Sequence, residues 1–434
     1  MRQRGCRRTT VRPDPARLRD RFFPKDPEAL YGTEPWVTLP PARMRPLTLL
    51  FVALFNSILG LSVLFPVLGP LGRTLGLREL EVGLFTTGYA TTQFLMSAYW
   101  GKASEVRGRK PILLVGILGF AVTFLAFAVI ADLGRRGVLA GAALFVPLLG
   151  TRLLGGALSS ATLPTVQAYV ADVTGRTDRA SGMAVVGAAF GLGIVFGPAI
   201  GALLAPVDLL LPVYVSSGVA FLNALFVFLK LPEPERKLRR DAPPPLGPVA
   251  ARLPDLLLIS FSATLSSVAM EQTVSFYFQD RLELDAMGTT RVVGLSLFVY
   301  GVVAVLVQGG FVRRVRLSPL HLVRIGVPIA AVGLAGLTVS HSLGWLIVFM
   351  ALQGLGQGLT LPGVTAAISL RARDDEQGAA AGLTSSSQAL ARVIGPVLGT
   401  GLYQLRPELP YAVGAGLMLI VGLFAFVARP EPST

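Results

Sequence analysis

Long apolar stretches separated by short polar connections dominate the chain. Twelve runs are each long enough for a helix of roughly 20 residues to cross a hydrocarbon core of about 30 Å. They fall near 47–69, 82–104, 111–131, 140–163, 180–204 and 209–229, then 254–279, 292–312, 325–341, 343–369, 378–403 and 411–428. The ninth is short, and only the stretch from His341 to Leu343 parts it from the tenth. Backbone groups in lipid must bond within their own segment, so these runs predict helices; a barrel would instead show short alternating segments. The expected architecture is an all-α integral membrane protein of twelve spans.

Composition agrees. Of 434 residues, 52% are hydrophobic and only 15% charged, whereas soluble domains carry about a quarter charged residues. One cysteine, Cys6, excludes an intrachain disulfide, and two histidines beside it argue against a structural zinc site. The Gly-x4-Gly-Lys-Ser/Thr phosphate loop is missing, so ATP drive within this chain is not expected, nor is a cofactor or enzymatic chemistry. With both termini inside, about 30 of the 39 Lys and Arg fall on the cytoplasmic side, among them the loop Lys102–Lys110, the run Arg236–Arg240 and Arg313–Arg316. The net charge of +14 therefore reads as a topology signal and a contact with anionic headgroups, not as a nucleic-acid surface. A multi-pass protein of the plasma (inner) membrane with cytoplasmic termini is expected.

The chain divides and repeats. A basic tail, 1–46, lacks the apolar core of a signal peptide. It is a mobile tail, an upstream mis-assigned start, or a surface-bound segment led by Phe22, Phe23, Tyr31 and Trp36. Residues 47–230 and 254–428 form two sets of six spans joined by a cytoplasmic linker, 231–253, with a short tail at 429–434. Leu163-Pro164 and Leu361-Pro362 are 198 residues apart, and Gly197-Pro198 and Gly395-Pro396 keep the same offset. Several coincidences at one offset argue for duplication, and parallel six-helix repeats place a site near mid-membrane between the halves.

Three local patterns carry a resemblance. After the second span, Gly101-Lys-Ala-Ser-Glu105-Val-Arg107-Gly108-Arg109-Lys110 resembles the loop signature of the major facilitator superfamily, with Glu105 where aspartate is usual and Val106 where a basic residue is usual. Arg152 followed by small residues is similar to that family's helix-four motif, and Asp172, farther along, is counted with the inner gate motif of Gly101, Glu105, Gly108, Arg109 and Lys110. Gly193, Gly197, Pro198 and Gly201 are similar to a helix-five motif associated with its antiporters, although such a glycine face also serves plain helix packing. The stretches Asn56–Pro70 and Glu376–Pro396 resemble the tetracycline and multidrug efflux branch, with Asn56 where that branch often has an acid. The resemblance implies two pseudo-symmetric bundles working by alternating access and a drug:proton antiporter. An importer or uniporter of a metabolite, a lipid exporter and a non-transporting sensor are the competing readings.

Charge inside the spans marks candidate chemistry. Arg152, Glu271 and Arg392 lie well within them, where a central charge costs roughly 2.5–3.5 kcal/mol and so faces a cavity or a partner. Glu271 is the candidate proton carrier, with Arg152 tuning it; the alternative is a structural partner of an arginine or of Gln272. Arg392 either lines the cavity or satisfies carbonyls freed by Pro396. Asn56, Tyr89, Gln93, Gln272 and Tyr300 are the polar cavity candidates, few enough to suit a small lipophilic or cationic drug-like molecule over a sugar. Glu105 is expected to face a helix N-terminus of the other half and latch the inner gate, with Gly101, Gly108, Arg109 and Lys110 shaping that loop. The expected partners are the substrate, protons and the lipid bilayer, and a monomer is expected.

Overall fold

The structure is a computed structural model, and it describes residues 41–174, 179–234, 246–314, 317–373 and 376–427. The tail up to residue 40, the linker core 235–245 and the end beyond 427 lie outside the described residues, with the aromatics of the basic tail among them. Residues 46–434 group as one compact unit; of the preceding unit only the helical turn 41–45 is described.

The regular secondary structure of the described residues is all helical. They form α1 (Pro41–Ser62), α2 (Leu64–Thr74), α3 (Glu79–Arg107), α4 (Arg109–Arg135), α5 (Ala142–Ser159), α6 (Thr162–Val173), α7 (Arg179–Leu204) and α8 (Leu211–Lys230). There follow a short α9 (Leu246–Ala250), α10 (Pro254–Leu282), α11 (Ala286–Leu306), α12 (Pro319–Val339), α13 (Leu343–Arg371), α14 (Gln377–Leu405) and α15 (Leu409–Val427). A π-turn at Val307–Phe311, over Gly309-Gly310, extends α11 toward Arg314.

Proline explains where rods break. Pro66 and Pro164 lack the N–H that would bond the carbonyl four residues earlier, and those carbonyls belong to Ser62 and Ser160, where α1 gives way to α2 and α5 to α6. Counting each broken pair as one rod gives twelve long rods among the described residues. Eight of them are long and apolar enough to cross a membrane: α1–α2, α4, α5–α6, α7, α8, α11, α12 and α13. The other four are α3, α10, α14 and the shorter α15.

The element edges differ from the sequence expectation in two places. The fourth rod runs on to Val173, because the polar residues after Leu163 form a second helical segment past the proline break. The ninth begins at Pro319, capped by Ser318 Oγ accepting from His321 N at 3.4 Å, and so is a full 21-residue helix.

Packing sorts the rods. Helices α2 to α8 pack on one another, as do α10 to α15, and the contacts that join these sets are α3 with α14, α7 with α11, and α2 with α10 and α11. Small residues permit the close approaches: Gly83 lies against Thr400 and Pro396, Gly69 against Ser275, and Gly294 against Pro198 and Ala202. These junctions lie toward the end that carries the turns at 75–78 and 283–285. At the opposite end Gly101 has no atom within 4 Å of where a Cβ would stand, and Glu105 is exposed.

Candidate transport site

Two polar centres and two ionic clusters stand out. The first centre is on α10. Ser267 Oγ, one turn before Glu271, donates to Glu271 Oε1 at 3.1 Å. From α11, the Tyr300 hydroxyl lies 2.8 Å from Ser267 Oγ and donates to the same carboxylate oxygen at 3.5 Å. Gly354 of α13 lets that helix close on the backbone of Tyr300. Arg392, from α14, is the charged group acting on Glu271, beyond ion-pair distance among the described residues.

Arg392 is exposed although it lies on the interior stripe of its helix. Gln388, one turn before it, reaches Ser260 of α10 at 3.4 Å; Gly395 and Gly399, after it, pack on Val268 and Ala269. Arg392 is thus exposed on the stripe of α14 whose neighbouring turns pack on α10. Among the described residues, no hydrogen bond from its guanidinium is recorded, so it does not serve the carbonyls freed by Pro396.

The second centre is on α5. Gly155 and Gly156 bring α5 down onto α3 at Tyr89. The Arg152 guanidinium then lies 4.7 Å above the Tyr89 ring, 5.8 Å from that of Phe124 and 5.7 Å from that of Phe127. Arg152 is 4% exposed, and its Nε has no hydrogen-bond partner. Aromatic faces replace a carboxylate here; a desolvated cation over a ring gains about 2 kcal/mol. Tyr89 is held in turn by Ser159 Oγ.

The expectation that Arg152 tunes Glu271 therefore needs correction. The arginine beside the carboxylate is Arg392, while Arg152 is enclosed in the first helix set by rings. Of the polar candidates, Tyr300 joins Glu271 and Tyr89 joins Arg152. Gln272 is buried outside the Glu271 hydrogen bonds, and Asn56 and Gln93 are half-buried with no hydrogen bond recorded among the described residues. Gly193, Gly197 and Gly201 face α1 and α2, and Ser62 Oγ donates to the Gly193 carbonyl at 2.7 Å.

The loop between α3 and α4 is the first ionic cluster. Gly108 turns the chain at φ 103°, a region that favours glycine. Arg109 Nε pairs with Asp172 at 2.8 Å, and its Nη1 donates to Ser104 Oγ at 2.7 Å. Glu233 was not legible as a partner from sequence: its carboxylate accepts from the backbone N–H groups of Arg109 and, at 2.9 Å, Lys110, capping α4. Tyr169 holds the same segment by donating to the Pro232 carbonyl at 2.6 Å. Nearby in sequence to α14, Arg252 pairs with Glu376, and this holds the Glu376 carboxyl below the usual carboxylate range.

The second ionic cluster joins the helix sets at the other end. Arg73, closing α2, donates to Asp280 of α10 at 2.9 Å, to Gln279 at 3.3 Å and to Glu79 of α3 at 3.3 Å. The Tyr403 hydroxyl of α14 donates to Asp280 at 2.6 Å. Sequence reading missed this clasp, whose signal was an arginine and an acid at the same ends of two spans that correspond between the halves.

Comparison with known proteins places this geometry. A family model described as Major Facilitator Superfamily matches residues 50–340 and 315–434. Multidrug resistance protein 1 of Bacillus subtilis (strain 168) is 26% identical over 392 residues, covering 89% of this chain and 97% of that protein. Tetracycline resistance protein, class C, of Escherichia coli is 27% identical over 383 residues, covering 83% and 91%. Among solved structures, the human organic anion transporter MFSD10 (TETRAN) superposes with a TM-score of 0.64 at 23% identity, covering 89% of this chain and 100% of that one. A bacterial homolog of the human lysosomal transporter Spinster, inward-facing and unoccupied, gives 0.69 at 14%, covering 91% and 100%.

Proposed function

The chain belongs to the Major Facilitator Superfamily, and we propose that it is a proton-coupled exporter of small lipophilic or cationic drug-like molecules. Its two helix sets, 47–230 and 254–428, rock about a central chamber. Glu271 carries the proton, and its ionisation state changes with the side to which the chamber opens. The observation that carries this reading is a carboxylate on α10 with one nearby, unbonded arginine, Arg392 on α14, two helices of the second set that also contact the first set at α2 and α3.

With the basic loops cytoplasmic, the clasp at Arg73 and Asp280 is on the outer side, and the arrangement is inward-open. In the opposite state Glu105 meets the N-terminus of α14 and closes the inner gate. The protein sits in the plasma membrane with both termini inside and works as a monomer. Multidrug and tetracycline resistance relatives support the direction of transport.

The test is a substrate screen in proteoliposomes that enclose a pH-sensitive dye. An exported compound is expected to evoke a lumenal pH change that depends on the protein. Compounds that cross at the same rate with the pH gradient collapsed would overturn proton coupling.

A further inference from the structure

The charges well inside the helices do not balance. Arg152 is committed to the rings of Tyr89, Phe124 and Phe127. That leaves Glu271 and Arg392, and they are not bonded to each other. Glu271 has two hydroxyl donors, Ser267 and Tyr300, so its carboxylate is partly satisfied without the arginine. Arg392 has no such substitute: among the described residues it makes no hydrogen bond or ion pair, and its side chain is exposed. A guanidinium in that position presents a planar fork of donors suited to two oxygens of one oxyanion.

We propose that Arg392 is the binding residue for an anionic group, a carboxylate or sulfonate, on a second class of cargo beside the lipophilic and cationic molecules that exchange for protons, and that this anion loads together with a proton on Glu271 and so moves with it. The coupling rests on the reading that Glu271 is the proton-carrying group. The groups facing Glu271 are Ser267 on its own helix, Tyr300 from α11 and Arg392 from α14. Arg392 is the one cation among them. An anion bound at Arg392 takes that counter-charge from Glu271, and two anions side by side repel each other. The anion is therefore held best when Glu271 is neutral, and by reciprocity its binding draws a proton onto Glu271. A cationic cargo behaves in the opposite way, since it competes with the proton for the carboxylate and exchanges with it. The charge of the cargo thus sets the sign of its coupling.

The experiment uses the full chain in phosphatidylcholine nanodiscs and two matched probes, naphthalene-1-sulfonate and the uncharged 1-naphthamide. The sulfonate stays ionised at every working pH, so only the protein titrates. Calorimetry is expected to show sulfonate binding more tightly at about pH 6 than at about pH 8, with 1-naphthamide unchanged. Glu271→Gln is expected to bind the sulfonate tightly at both pH values. Arg392→Gln is expected to bind it no better than the amide, and Arg392→Lys to keep part of the preference, with circular dichroism confirming that each variant is folded.

Unchanged sulfonate binding in folded Arg392→Gln overturns the site. A sulfonate that binds no better than the amide at either pH overturns it too. Persistence of the pH effect in Glu271→Gln overturns the joint loading. These outcomes are separate from failure of the transport reading, which would appear as gradient-driven transport by Glu271→Gln in proteoliposomes.

Discussion

Asp280→Asn is expected to loosen the outer clasp and move the protein toward its outward-open state. In the structure Asp280 accepts two bonds from Arg73 and one from Tyr403, so one carboxylate ties α10 to α2 and α14. Its side chain is 41% exposed and that of Arg73 26%, so water screens the pair and its worth is at the modest end, about 1 kcal/mol. That corresponds to about a fivefold change in the ratio of the two states. Spin labels on cysteines introduced at Lys102 and Gly378, with Cys6 replaced, span the inner ends of α3 and α14. Pulsed electron resonance should show the shorter-distance population growing about fivefold in Asp280→Asn and by a similar factor in Arg73→Gln. Because the two residues act through one contact, the double variant should exceed neither single one by much. Unchanged distance distributions in all three variants, or simple addition of the two effects, would refute the clasp.

Other consequences are more local. Glu233→Ala removes the carboxylate cap from α4, and because Glu233 is exposed the expected loss is about 1 kcal/mol or less, read as a small fall in melting temperature that Glu233→Gln partly restores. Gly197→Val drives a side chain into Ser62 and the Leu59 carbonyl, so a loss of about 1–3 kcal/mol is expected by thermal unfolding, while Gly191→Ala, where space is open, should be neutral. The Glu376 carboxyl is held below its usual range by Arg252, so its contribution is full above the unfolded carboxylate range and disappears as pH falls through the lowered folded value. Wild-type and Glu376→Gln melting temperatures should accordingly differ near neutrality and converge in acid; a constant gap would contradict this.

Sequence alone carried the fold far because bilayer thickness fixes span length, and the apolar runs keep to it. The prolines at 164, 198, 362 and 396 also announced the duplication, and each pair occupies corresponding helices in the two halves. Which arginine belonged to Glu271 was not legible. Arg152 had the stronger motif, but the glycines at 155 and 156 turn it toward aromatic rings, a consequence of packing that periodicity does not encode. Glu233 and Asp280 escaped for a related reason: each acts on residues more than 120 positions away, so no local pattern marks them. For Arg392 the sequence left two roles open, lining the cavity or serving the carbonyls freed by Pro396, and the absence of any hydrogen bond from it among the described residues speaks against the second.

Proton coupling in the proposed cycle requires Glu271 to move a proton between the two sides. The direct measurement compares Glu271→Gln with wild type in proteoliposomes for two activities: transport driven by an imposed pH gradient, and exchange of labelled for unlabelled substrate at equal pH. Loss of gradient-driven transport with exchange retained is the expected result. Gradient-driven transport at the wild-type rate by the variant would contradict it.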